Sequence, residues 1–365
     1  MAGNFSQFGN DLYSGKRSFD IIGHRRRWYL IACGLVVFSL ALLLARGLNL
    51  GIEFRGGSEF TVSGASTTAS EPAQEALNSV DANQVARVSV VGGNSVRVQT
   101  EALGADDTEA MRDALAVAYG VDATQVTSSF VGPSWGQDVT AKALQGLVIF
   151  LVIVTVVMAL YFRTWSMAIA ALVALLHDLV VTVGLYAGVG FEVTPASVIG
   201  FLTILGYSLY DTVVVFDKVR ENTAHVLDQS RVTYAEASNL AVNQTIVRSI
   251  NTSVVGILPV ASILFVGAFL LGAGTLRDIA LSLFIGMIVS TLSSIFLASP
   301  LETTFRLRRP AYREHTAKVL ARRAASADAD VTITSDDVRS EADRVTALLP
   351  GGHQGQAAQP KRKKR

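Results

Sequence analysis

Val193-Thr-Pro-Ala-Ser-Val-Ile-Gly-Phe-Leu-Thr-Ile-Leu-Gly-Tyr-Ser-Leu-Tyr-Asp-Thr-Val-Val-Val-Phe216 is an apolar run with one acid, Asp211, inside it. It is long enough to cross a bilayer, for which about 20 residues suffice. An ionisable group at such depth costs at least roughly 2.5–3.5 kcal/mol on insertion scales, so its presence asks for a role. Gly200, Thr203, Tyr207 and Asp211 recur at spacings of three and four and share one helix face. That polar face is expected to point into a helix bundle. It is the first place to look for proton or ion chemistry.

Outward from this run the whole chain is greasy. Half of its 365 residues are hydrophobic, 17% are charged, and the mean hydropathy is +0.40. Soluble domains carry about 25% charged residues, so the composition predicts a polytopic membrane protein with one polar insert. A single cysteine, Cys33, excludes an internal disulfide and a cysteine-based metal cluster; it reads as a small core residue. The basic stretch His24-Arg-Arg-Arg27 precedes the apolar run Trp28–Leu44, and Arg46 follows where a cleavage site would need small residues. The first span is therefore expected to be an uncleaved transmembrane helix.

Six spans are predicted, at about 28–48, 143–162, 166–188, 193–216, 251–272 and 279–300. Of 31 Lys and Arg, 5 lie before residue 28 and 14 after residue 303. Lys218, Arg220, Arg231 and Arg248 lie between spans four and five, whereas the connections 189–192 and 273–278 hold only Arg277. The positive-inside rule then places both termini and the 217–248 loop in the cytoplasm and residues 49–142 outside.

The outer segment reads as a small folded domain. Ser58–Ser63, Arg87–Val91, Ser95–Thr100 and Gln125–Val131 are strand candidates, with a Gly92-Gly93-Asn94 turn between the middle two. Ser70–Val80 and Asp106–Tyr119 read as helices, the second with Met111, Leu115 and Ala118 on one face. The order β-α-β-β-α-β is the ferredoxin-like pattern. Pro133–Gly136 is expected to link this domain to span two as a hinge or an ordinary loop. Beyond about residue 325 the chain turns polar and low in complexity, which predicts disorder. Its end, Lys361-Arg-Lys-Lys-Arg365, is either an orientation signal or a contact for anionic lipids. No aromatic stacking residues accompany it, so nucleic acid is not expected as a partner.

Span three carries His177-Asp178, with Asp178 on the small-residue face Ala170-Ala174-Asp178. This pair is a secondary intramembrane candidate, either a proton relay or a buried pair satisfied by its neighbours. Arg248, Asn251 and Thr252 share a face at the start of span five. Spans four and five run antiparallel, so Arg248 is expected to reach the level of Asp211. Asp211 would then exchange partners between Arg248 and a proton; the alternative is a static ion pair that pins two helices. Gly286, Ser290, Ser294 and Ala298 form a small-residue seam on span six, suited to close packing. The sequence holds no Gly-Lys-Ser/Thr phosphate loop, no His-Glu-x-x-His and no Gly-x-Ser-x-Gly, and no cofactor or metal site is expected.

Gly51-Ile-Glu-Phe-Arg-Gly-Gly57, directly after span one, resembles the Gly-Ile-Asp-Phe-x-Gly-Gly motif of the SecF branch of the SecD/SecF protein-export family. The run Leu209–Asn222 is similar to that family's span-four signature. Arg248-Ser-Ile-Asn-Thr-Ser253 resembles its span-five start, and Leu176-His-Asp178 its span three. The resemblance covers residues 28 to about 303 and departs at Glu53, where Asp is usual, and at Tyr210, where many members have Asn. It implies a six-span half of the resistance-nodulation-division architecture. It implies SecD, the SecYEG channel, YidC and YajC-like subunits and exported polypeptides as partners, and the proton-motive force as energy source. It assigns proton coupling to Asp211 and Arg248, with Tyr207, Asn251 and Thr252 around them, and a motif role to Gly51, Glu53, Gly56 and Gly57. No enzymatic activity is implied. The rival is a small-molecule/proton antiporter of the same superfamily, which would need larger external domains than one insert of about 90 residues.

Overall fold

The computed structural model describes residues 2–92, 94–268 and 274–326. The basic cluster 361–365, and the expected disorder beyond about 325, lie outside the described residues. In chain order the elements are α1 (Ala2–Ser14), α2 (Arg25–Arg46), β1 (Asn49–Leu50), α3 (Ile52–Arg55), β2 (Gly57–Val62), α4 (Glu71–Val80), β3 (Arg87–Gly92), β4 (Ser95–Thr100), α5 (Ala105–Tyr119) and β5 (Val126–Val131). Then come α6 (Pro133–Phe162), α7 (Trp165–Val189), β6 (Glu192–Val193), α8 (Pro195–Thr223), α9 (Tyr234–Ser262), α10 (Gly274–Ser293), α11 (Ser299–Leu307) and α12 (Pro310–Ser326). A π-helical turn, Ser294–Ala298, joins α10 to α11 without a break.

Among the described residues six helices are long and apolar enough to cross a membrane: Arg25–Arg46, Ser134–Phe162, Trp165–Val189, Pro195–Asp228, Tyr234–Val266 and Leu276–Leu307. Two of them begin at strong start signals. Thr194 and Ser197 form a reciprocal capping box at the head of α8, with Pro195 as its first residue. Thr233 and Glu236 do the same for α9. Because that cap lies at Thr233, the fifth helix starts well before the expected residue 251, and much of the 217–248 segment is helical.

Close helix approach holds α8 to α10. A Cβ on Gly200 would meet Ser282, and one on Gly286 would meet Ile204. The two helices thus advance together, four residues for four, as parallel neighbours do. Gly286 of the small-residue seam on span six lies in this contact.

The small domain is a four-stranded antiparallel sheet in the order β3-β4-β2-β5, covered by α4 and α5. Phe60, Val62, Leu77, Val96, Val98, Met111, Leu115 and Tyr119 fill the space between sheet and helices. No hinge follows it: Pro133 opens α6, as proline at a first helical position does. Gly136 lies against the Phe54 backbone, where a Cβ would stand 2.6 Å from the carbonyl oxygen. Cys33 is exposed on α2 and belongs to no core.

Candidate functional site

Asp211 lies on α8 with 2% of its surface exposed, and its Oδ2 accepts a hydrogen bond from the Ser294 hydroxyl at the start of the π turn. The buried face of α8 is Gly200, Ile204, Ser208, Asp211 and Val215. Thr203, expected on that face, is exposed and bonds its own helix at Ile199. The tight packing against α10, rather than side-chain polarity, sets which way the helix turns. Tyr207 is half-buried, and its hydroxyl donates to Ser253 Oγ of α9 at 3.2 Å. Thr291 of α10 donates to the same Ser253 oxygen at 2.7 Å. Tyr210 is 54% exposed, whereas Asp211 beside it in sequence is buried.

The structure does not bring Arg248 to Asp211. Among the described residues no ion pair joins them. Arg248 and Asn251 are exposed and Thr252 is half-buried, while Ser249 and Ser253 occupy the buried face of α9. Ile250, Val254, Val255 and Leu258 are also exposed, so Arg248 and Asn251 stand among apolar side chains.

His177 and Asp178 are buried on α7. His177 Nδ1 lies 3.1 Å from Asp178 Oδ1, and Ser208 Oγ donates to Asp178 Oδ2 at 2.7 Å. Ser208 and Asp211 are one turn apart on α8, so Asp178 of α7 and Asp211 of α8 each meet a serine across a helix contact. Sequence reasoning missed Ser208, Ser249, Ser253, Thr291 and Ser294. The available signal was that each sits on a small-residue face of an apolar helix, at the depth of an acid.

The Gly51–Gly57 motif sits where the small domain meets the bundle. β1 pairs with β6, Asn49 beside Glu192 and Leu50 beside Val193. Gly51 leaves room for the Glu53 and Glu192 carboxylates, which a Cβ would approach to 2.5 and 3.0 Å. Gly56 (φ 79°) and Gly57 (φ 138°) turn the chain into β2, and a Cβ on Gly57 would stand 2.4 Å from the Thr100 carbonyl oxygen. Arg97 of β4 bridges Glu59 at 3.4 Å and Glu192 at 3.0 Å. Gln99 donates to both of these carboxylates. Burial pushes the Glu53 carboxyl above its ordinary range; its own backbone N–H and Arg97 oppose this, and Glu59 and Glu192 add to it. Arg97 is held above its usual value by Glu59 and Glu192 despite burial. Asp278 at the head of α10 accepts from Thr194 at 3.2 Å beside the same cluster.

The model of the family described as "Protein export membrane protein SecD/SecF, C-terminal" matches residues 111–308, and that of the "SecD/SecF GG Motif" matches 41–66. The chain is 45% identical to the protein translocase subunit SecF of Streptomyces coelicolor, over 87% of this chain and 85% of that one. It is 42% identical to the subunit of the same name from Mycobacterium tuberculosis (strain CDC 1551 / Oshkosh), over 90% and 76%. The crystal structure of SecDF from Thermus thermophilus, described as a translocon-associated membrane protein, superposes with a TM-score of 0.71 at 27% identity. That match covers 80% of this chain and 39% of the SecDF chain. The six-helix architecture, the Gly-Gly turn between α3 and β2 and these similarities together place the chain in the SecD/SecF family of protein export membrane proteins.

Proposed function

We propose that this chain is the SecF-type accessory subunit of a Sec protein translocase, acting with a SecD-type partner and the SecYEG channel to couple inward proton flow to export. The ferredoxin-like domain stands outside and both termini in the cytoplasm, as the distribution of Lys and Arg suggests. The observation that carries the coupling is Asp211: a buried acid in an apolar helix, with a serine hydroxyl for a partner and, among the described residues, no ion pair to a cation. A charge so placed is costly, and uptake of a proton removes that cost. Arg248 supports the reading from the other side. Its exposed position on an apolar helix face suits cover by a SecD-type half, and movement of α9 against α8 would bring it to the acid. YidC, YajC-like subunits and anionic lipids belong to the wider assembly on this reading.

The antiporter alternative is not favoured. β6 and its flanking residues are all that separate α7 from α8, so the second external domain it needs has no place there. The test is export of a reporter by membrane vesicles at saturating ATP, with and without a proton gradient. Wild type should export faster with the gradient, and Asp211→Asn at matched levels should lose that gain. An equal gain in both would make Asp211 structural.

A further inference from the structure

Ser294 carries one hydroxyl hydrogen and has two acceptors within reach, Asp211 Oδ2 and the Thr291 carbonyl oxygen at 3.2 Å. A hydroxyl donates once and accepts twice. An ionised Asp211 draws the serine hydrogen to itself. A protonated Asp211 donates its own hydrogen to the serine oxygen, and the serine then turns to Thr291. The orientation of this one hydroxyl therefore follows the state of the acid, and Ser294 is itself fully buried.

The backbone here is also special. Ser294 opens the π-helical turn Ser294–Ala298, and Ser299 Oγ donates to the Ser294 carbonyl oxygen at 3.1 Å. Single π turns inside α-helices occur often at functional sites. Such a turn holds one residue more than an α turn. Moving it along the helix rotates the intervening residue by about 100°, one residue's share of a 3.6-residue turn. That rotation would swing Ser294 off the carboxylate.

Around Asp211 stand Ser294 and Thr291 from the sixth span, Tyr207 on its own helix, Ser253 from α9, and Asp178 with His177 from α7 behind Ser208. Arg248 lies on α9, off the buried face. We propose that Ser294 is a positioning residue for the proton step: it holds Asp211 in the arrangement seen here, and a shift of the π turn releases the carboxylate toward Arg248. This rests on Asp211 being the proton-carrying group.

The experiment is infrared difference spectroscopy of the chain assembled with its SecD-type partner in liposomes, together with gradient-stimulated export. A carboxylic-acid carbonyl band in wild type that Asp211→Asn removes assigns the band. Ser294→Ala should move it to higher wavenumber, because the hydrogen bond that the protonated carboxyl makes to the serine oxygen is lost, and Ser294→Thr should return it. Export stimulated by the gradient should fall roughly tenfold in Ser294→Ala, the scale of one hydrogen bond to a charged group, and recover in Ser294→Thr. Should Ser294→Ala not accumulate, Ser294→Cys serves, since a thiol of similar size is a weak donor. No band sensitive to Asp211→Asn would overturn the proton reading and this inference with it. A band and export unchanged by loss of the hydroxyl, with Asp211→Asn still inactive, would overturn the role of Ser294 alone.

Discussion

Ser208 Oγ lies 2.7 Å from Asp178 Oδ2, one turn before Asp211 on the same helix. Asp178, fully buried, thus has Ser208 on one oxygen and His177 on the other. This is the pattern of a satisfied buried acid, in contrast to Asp211. Ser208→Ala should destabilise the bundle by about 1–3 kcal/mol, the cost of leaving a buried acceptor without its donor. Asp178→Asn keeps the hydrogen-bonding shape and should leave gradient-stimulated export near wild type. Thermal unfolding checks the first and vesicle export the second; loss of export in Asp178→Asn at normal stability would make the pair part of the proton path.

Arg97 joins the sheet of the small domain to β6 at the end of the bundle. Its side chain and that of Glu192 are 16% and 10% exposed, so solvent screens the pair little. Removing the cation leaves Glu59 and Glu192 uncompensated next to Glu53. Arg97→Ala should therefore approach the 3–5 kcal/mol typical of a broken buried pair, with Arg97→Lys between it and wild type. Thermal unfolding, with proteolysis of the small domain as a second readout, measures this.

Glu53 makes the same junction sensitive to pH. Its carboxyl is raised in the folded protein, by burial first, so the stability it contributes is present in full below the ordinary carboxylate range. That stability is lost as pH rises through the raised value. Glu53→Gln should match wild type in acid, unfold at a higher temperature than wild type at mildly alkaline pH, and show a flatter profile between. A profile unchanged by Glu53→Gln would place the pH dependence elsewhere.

Much of the architecture was legible because bilayer-length apolar runs and period-two strands are local signals. The Asp106–Tyr119 helix carries its buried Met111 and Leu115 where spacing placed them. Boundaries were less legible. The Thr233–Glu236 cap draws α9 back to Tyr234, and Pro133 starts a helix where a hinge or an ordinary loop was expected, since tertiary contacts extend helices past their apolar cores. For the proposed site, the placing of Asp211 inside an apolar helix was legible and its surroundings were not. Which residues of α9 and the sixth span stand beside the acid depends on helix rotation, and rotation is set by small residues such as Gly200 and Gly286 meeting Ser282 and Ile204. A one-residue change in facing replaces Arg248 by Ser249, and no spacing rule within one helix reports it. Ser294 was visible only as a member of a packing seam.

Asp211 is proposed to carry the protons that drive export. This role is tested most directly by proton entry into liposomes that hold a pH-sensitive dye, with the chain reconstituted beside its SecD-type partner and an inward gradient imposed. Wild type should show entry above the protein-free leak, and Asp211→Asn at matched protein should show entry at the leak. Equal entry through both would contradict that role.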